Sequence, residues 1–269
     1  MRYPCIKSLF QDPEEEKQKE KEWVASLEEV EEKLGYKFKK RNLLREAFIH
    51  GSFYSGEEER ETYERLEYVG DSVLGLMITQ ELFFLYPDSP PGVLTKLRAA
   101  NVDNEKLARA AINHGFHRYL RHKAPDLEDQ IREFKNETLK YPVHSQGLVD
   151  TPKSLADIIE AVIGAVYLDV DCKVDEVWKV FNKLLEPIIN PETLKVHPVT
   201  ELHELCQKNR IKIEFVKKKR EEGGTTYDVV QDSDLIIGTA TCACKKEVVK
   251  NRAAKKALDY LKATLALGE

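Results

Sequence analysis

The sequence predicts an all-α domain followed by a small α+β module of order α-β-β-β-α. Three observations carry this. Apolar residues recur at helical spacing from Trp23 to Ile189, strand-like alternation begins only at Ile211, and the sign of the net charge changes between the two stretches. Residues 1–195 carry 28 basic and 36 acidic side chains, a net −8, whereas 196–269 carry 14 and 11, a net +3. The expected layout is a charged extension over 1–22, a helical domain over 23–190, a linker over 191–198 and the α+β domain over 199–267.

Taken in order, Gln11–Glu32 is rich in Glu, Lys and Gln and then settles into apolar spacing at Trp23, Leu27, Val30 and Leu34. It reads as a solvated helix that docks near its end. Phe38–Ser52 reads as a second helix with Asn42 as cap and Leu43, Leu44, Ala47 and Phe48 inward. Thr62–Tyr86 is a long buried helix stopped by Pro87, and 87–92 is a loop. Val93–Ala111 makes two shorter helices broken near 102–104. Lys123–Thr151 is a polar insertion, irregular or weakly helical. Lys153–Leu168 is apolar almost all round and belongs in the core, and Val174–Ile189 is a last helix before Pro191. Beyond the linker come a helix at 199–208, strands near 211–219, 226–230 and 235–244, and a closing helix at 246–267 with Val249, Ala253, Ala257 and Leu261 inward.

Composition narrows the function classes. Apolar residues are 42% and charged residues 33%, a globular balance, and no apolar run is long enough for a membrane span. Five cysteines, odd in number and scattered, do not make a disulfide framework and point to a reducing compartment. The N-terminus has no secretory pattern and is too acidic for a transit peptide. The expected location is intracellular, nucleus or cytoplasm.

Glu64, Glu67 and Asp71 stand i, i+3, i+7 on one face of an otherwise apolar helix, and Asp157 and Glu160 stand i, i+3 on another. Buried carboxylates need partners. Pairing with Arg65 and Arg98 is one solution. The other is a hard cation such as Mg²⁺ between two acidic faces, able to serve phosphodiester chemistry. Gly70, Gly75 and Gly164 sit mid-helix at a cost of about 1 kcal/mol each, which points to close helix packing. Cys242 and Cys244 read as strand residues, with a redox switch as the alternative. Lys217–Arg220 reads as solvated charge, a nuclear signal or an RNA-facing strand. His50 reads as structural, and His114, His117, His122 and His144 lack zinc-ligand spacing.

Residues 64–74, ERLEYVGDSVL, closely resemble the signature of the ribonuclease III family. Residues 153–169, KSLADIIEAVIGAVYLD, resemble its second acidic helix. The stretch from Val199, with LHELCQK and KKEVVKNRAAKKAL, resembles the double-stranded-RNA-binding domain that commonly follows. The resemblance covers residues 25 to 265. It implies an all-α ribonuclease III catalytic domain, a homodimer, and hydrolysis of double-stranded RNA that leaves 5′-phosphates and short 3′ overhangs. It implies Mg²⁺ held by Glu67, Asp71, Asp157 and Glu160, with Mn²⁺ able to substitute, and a catalytic role for Glu64 nearer the subunit interface. For RNA it implies Thr200, His203 and Glu204 along a minor groove and Lys245, Lys246 and Lys250 on phosphates. The chain departs from the family pattern at Pro91 before Gly92, and at Glu221 and Glu222, which stand where a His-bearing turn is usual. Two other functions use the same folds: a non-catalytic RNA-binding scaffold, or a regulator of small-RNA duplexes. The intact set of four carboxylates favours the enzyme.

Overall fold

Helices form wherever apolar residues return three and four apart, and two of them carry the architecture. The computed structural model describes residues 13–54, 61–219 and 223–266. The chain divides into two units: Met1–Pro125 with Lys153–Ile188, and Asp126–Pro152 with Ile189–Glu269.

In the first unit, α1 (Pro13–Ser26) and α2 (Glu28–Leu34) share the predicted N-terminal stretch. Leu27, Val30 and Leu34 are buried, and the Trp23 indole donates to the Tyr119 carbonyl at 2.8 Å. Helix α3 is shorter than predicted, Arg41–Glu46, and begins after Lys40 with no side-chain cap, so Asn42 is not the cap. The chain then turns through a 3₁₀ segment at Gly51–Phe53, where His50 Nδ1 accepts from the Ser52 amide at 2.9 Å. Helix α4 spans Glu64–Leu85. Helices α5 (Pro91–Asn101) and α6 (Asn104–Asn113) break where expected, because the Asp103 carboxylate accepts from the Glu105 amide at 2.7 Å and caps α6.

Helix α8 (Lys153–Asp169) is buried without interruption from Leu155 to Val166. Its neighbour α9 covers only Val174–Phe181, half of the predicted helix. Helices α4 and α8 cross at contact distance. A Cβ built on Gly70 would lie 1.7 Å from the Glu160 carbonyl oxygen, and one on Gly164 would lie 2.2 Å from that of Leu66. Gly75 differs: nothing lies within 4 Å of its Cβ position, so its place in the helix is not explained by packing.

In the second unit, α10 (Pro198–Lys208) and α11 (Lys246–Ala266) pack on an antiparallel sheet of order β1-β2-β3: Ile213–Lys219, Thr225–Gln231 and Leu235–Cys242. Its core joins Leu202, Cys206, Val229, Ile237, Val249, Ala253, Ala257 and Leu261. The sulfurs of Cys242, which ends β3, and Cys244, just past it, are in contact, so of the two only Cys242 is a strand residue. Glu221 and Glu222 lie outside the described residues. The insertion is better ordered than its composition predicts. It forms α7 (Leu127–Thr138) with Leu127, Ile131 and Phe134 buried. It also groups with the C-terminal unit, so the helical unit expected over 23–190 is interrupted at 126–152. Among the described residues no helix is long and apolar enough to cross a membrane.

These contacts predict opposite outcomes at two glycines of one helix. Gly70→Ala forces α4 and α8 apart and lowers the unfolding free energy by at least about 2 kcal/mol. Gly75→Ala meets open space and raises it by about 0.5–1 kcal/mol, both read by urea denaturation.

Candidate active site

The α4–α8 crossing turns two acidic helix faces toward each other. Glu67 is three residues before Gly70, and Asp71 directly follows it. Asp157 and Glu160 lie on the first two turns of α8. Carboxylate oxygens of Glu67, Asp157 and Glu160 lie within 4.8 Å of one another. Glu64, Glu67, Asp71 and Glu160 line one cleft of about 340 Å³, together with Tyr68, Asn104 and Lys153. Asp71 and Glu64 are exposed at its rim, whereas Asp157 and Glu160 are buried. The five acidic positions predicted from sequence are thus brought to one place, with Asp71 and Glu64 outside the tight trio.

Neither Arg65 nor Arg98 supplies the ion pairs. Lys153 does: its Nζ donates to Glu67 Oε1 at 2.6 Å and to Asp157 Oδ1 at 2.7 Å. The Tyr63 hydroxyl donates to the second oxygen of Asp157 at 3.0 Å. Burial works against the Lys153 charge, but hydrogen bonds to the two carboxylates more than offset it and hold the ammonium above its ordinary range. Burial pushes the Asp157 carboxyl up, with Lys153 opposing. Glu160 has no hydrogen-bond donor among the described residues. Burial first, then the charges of Asp71, Asp157 and Glu67, push its carboxyl up to about 8. Asp169 shows the alternative on the same helix. It is buried too, but accepts from the Tyr36 hydroxyl and the Lys39 and Lys40 amides, and it stays below the usual carboxylate range.

The donor set fits a hard divalent cation. Three carboxylates face one ammonium, the surplus charge is crowded rather than spread, and Glu160 is destabilised as an anion in a way that a cation would relieve. Tyr63 reads in sequence as a buried aromatic near the start of the acidic helix, and its hydroxyl meets Asp157 only through the helix crossing. Lys153 acquires its bridging position from the helix crossing, which brings Glu67 to a lysine 86 residues away.

In the second unit Thr200, His203 and Glu204 are exposed on α10. His203 and Lys250 both approach Phe215 of β1, with ring centroids 5.9 Å apart for the first and Nζ 4.7 Å from the ring centre for the second. Lys246 is exposed. Lys245 is engaged elsewhere: its amide and its Nζ meet Asp150 at 3.0 and 3.1 Å.

Comparison with known proteins agrees with both halves. The family described as Ribonuclease III domain matches residues 64–171, and Double-stranded RNA binding motif matches 198–261. Ribonuclease 3-like protein 3 of Oryza sativa subsp. japonica is 51% identical over 88% of this chain and 78% of its own length. Ribonuclease 3-like protein 2 of Arabidopsis thaliana is 40% identical over 88% of this chain and 60% of its own. Endoribonuclease Dicer homolog 1 of Arabidopsis thaliana is 44% identical over 87% of this chain, which spans only 12% of that protein. A helical nuclease domain with an acidic cleft, followed by an RNA-binding module, is therefore the class of protein. The chain belongs to the ribonuclease III family and is an endoribonuclease of that type.

The Glu160 carboxyl sets a pH dependence. Its native pKa near 8 exceeds the ordinary 4.5, so the native state holds the proton longer and stability falls as pH rises through that window. In chelator at pH 8.5, Glu160→Gln is more stable than the wild type by about 1–3 kcal/mol. That advantage vanishes below pH 4.5 in paired denaturant titrations. A difference that stays flat across the window would show that Glu160 titrates normally.

Proposed function

We propose that this chain hydrolyses double-stranded RNA in a Mg²⁺-dependent reaction, with a water as nucleophile, leaving 5′-phosphates and short 3′ overhangs. The observation that carries the reading is the trio Glu67, Asp157 and Glu160, within 4.8 Å of one another on two helices of a ribonuclease III domain. These three, with Asp71 at the rim, would hold the ion, and Mn²⁺ has the same ligand preferences. Bound there, Mg²⁺ supplies a more acidic water and charge stabilisation for a phosphodiester under attack.

The chain's own residues prepare this. Lys153 bridges Glu67 and Asp157 and fixes their separation. The Tyr63 hydroxyl holds the far oxygen of Asp157, so that carboxylate keeps one orientation. Glu160, whose carboxyl is pushed up by burial and by the neighbouring acids, would be the ligand whose anion a bound cation favours most. Glu64 and Asp71 are placed at the mouth, where a duplex backbone would enter. Thr200, His203, Glu204, Lys246 and Lys250 are assigned to RNA contact, His203 and Lys250 flanking Phe215.

A second copy of the chain completes this reading. Helix α4 leaves Tyr68 79% and Phe84 77% exposed, and Leu76 and Phe83, between them in sequence, are exposed too. These are large apolar side chains to leave on a helix surface, and they support a homodimer through the helical unit.

The deciding assay is cleavage of a perfect RNA duplex with Mg²⁺, wild type against Glu160→Ala, with binding followed in Ca²⁺. Cutting falls by at least about 10³-fold in the variant while binding survives. Binding without cutting in the wild type would leave a scaffold instead. For the second copy, Phe84→Asp with Leu76→Asp gives a monomer by analytical ultracentrifugation, and an unchanged dimer would exclude this face.

A further inference from the structure

The segment Asp126–Pro152 does something that the nuclease reading leaves unused. It carries six acidic and three basic side chains, and it is held against the most basic helix of the C-terminal unit. The hold is specific. Arg252 of α11 donates from Nη2 to Glu137 Oε2 at 2.6 Å and from Nε to the Leu148 carbonyl at 2.7 Å. Asn251 Nδ2 donates to the Gly147 carbonyl at 2.9 Å. Gly147 has φ +77°, and a Cβ there would lie 2.5 Å from that same Asn251 nitrogen, so both the backbone shape and the close approach require glycine. The Ser145 hydroxyl accepts from the amides of Leu148 and Val149 at 3.1 Å and fixes the turn. Leu148 and Val149 are buried beneath it.

At the end of this strap the Asp150 carboxylate takes both the amide and the ammonium of Lys245, and the Thr151 carbonyl takes a further bond from the same ammonium. Lys245 stands at the start of α11, where a free ammonium and a helix N-terminus both favour phosphate. A carboxylate presents the same charge and the same acceptor geometry as a phosphate oxygen. Lys246 and Lys250 carry no such carboxylate contact among the described residues.

We propose that the strap Asp126–Pro152 competes with RNA inside the molecule. Asp150 stands in for a phosphate on Lys245, Glu137 anchors the strap through Arg252, and duplex binding has to displace Asp150. The proposal rests on the reading of α11 as an RNA-contacting helix. Because Lys246 and Lys250 stay open, the strap tunes affinity rather than abolishing it.

The test is binding of a perfect RNA duplex to the full chain in Ca²⁺, over a salt series, for wild type, Asp150→Asn, Lys245→Ala and the double variant. Asp150→Asn tightens binding by about two- to five-fold, the range of an exposed ion pair. It also steepens the slope of log affinity against log salt by about 0.9, one added phosphate contact. Lys245→Ala costs less than about two-fold in the wild type, but it removes the whole gain in the Asp150→Asn background. Glu137→Gln moves affinity in the same direction without touching the Asp150 turn, and thermal melts check that each variant folds. Unchanged or weaker binding in both strap variants, or an equal cost of Lys245→Ala in both backgrounds, would overturn the competition. A wild type that binds no duplex would instead overturn the RNA reading of this unit.

Discussion

The crossing of α4 and α8 at Gly70 and Gly164 is the constraint on which the catalytic half depends. With Cβ positions 1.7 and 2.2 Å from the opposing backbone, any larger residue separates the helices. Separation would not merely loosen a core. Glu67 and Asp71 bracket Gly70, and Glu160 supplies the carbonyl that Gly70 touches, so the same contact sets the carboxylate spacing. Glycine lowers helix propensity at both positions, and that local cost is accepted for a geometry available no other way. The same closeness explains the electrostatics: it buries Glu160 beside Asp71, Asp157 and Glu67, and burial and those charges push its carboxyl up to about 8.

A buried acid with no donor is expensive, and the fold shows that it is not unavoidable. Asp169, two turns further along α8, is equally buried and fully satisfied by Tyr36 and two amides. The chain can satisfy a carboxylate on this helix and does not do so at Glu160. An unsatisfied carboxylate at a cleft, beside full satisfaction elsewhere on the same helix, supports the proposed cation there.

Much of this was legible in the sequence. Both signature helices are long, mostly apolar runs, and their acidic positions interrupt those runs at spacings that fix a common side. The break between α5 and α6 was legible because Asp103 is a side-chain cap. What escaped was decided by tertiary contact. Nothing local stops a helix at Glu46, and Asn42 looks like a cap until the helix begins one residue earlier. Tyr63 and Lys153 acquire their roles from residues 94 and 86 positions away. The strap was hardest, because its polar composition reads as a loop. Its order comes from Arg252 and Asn251, each 104 residues from its partner.

The charge distribution ties the two halves into one argument. The overall −5 argues against a nucleic-acid partner only if charge is treated as uniform. Acidic residues in the first unit are gathered into a cleft where they suit a cation, and basic residues in the second are gathered on α11 where they suit phosphates. The strap breaks this separation by carrying carboxylates onto the basic helix. An isolated surface ion pair has little energetic consequence for folding, so Lys245–Asp150 contributes little as a stabiliser. Its consequence lies in what it occupies. A phosphate-binding lysine whose charge is already answered contributes less counterion release when RNA arrives, and counterion release supplies much of the affinity of a shape-reading module. On the competition proposed above, the affinity of this unit for a duplex would be set partly by the insertion rather than by the RNA-binding module alone.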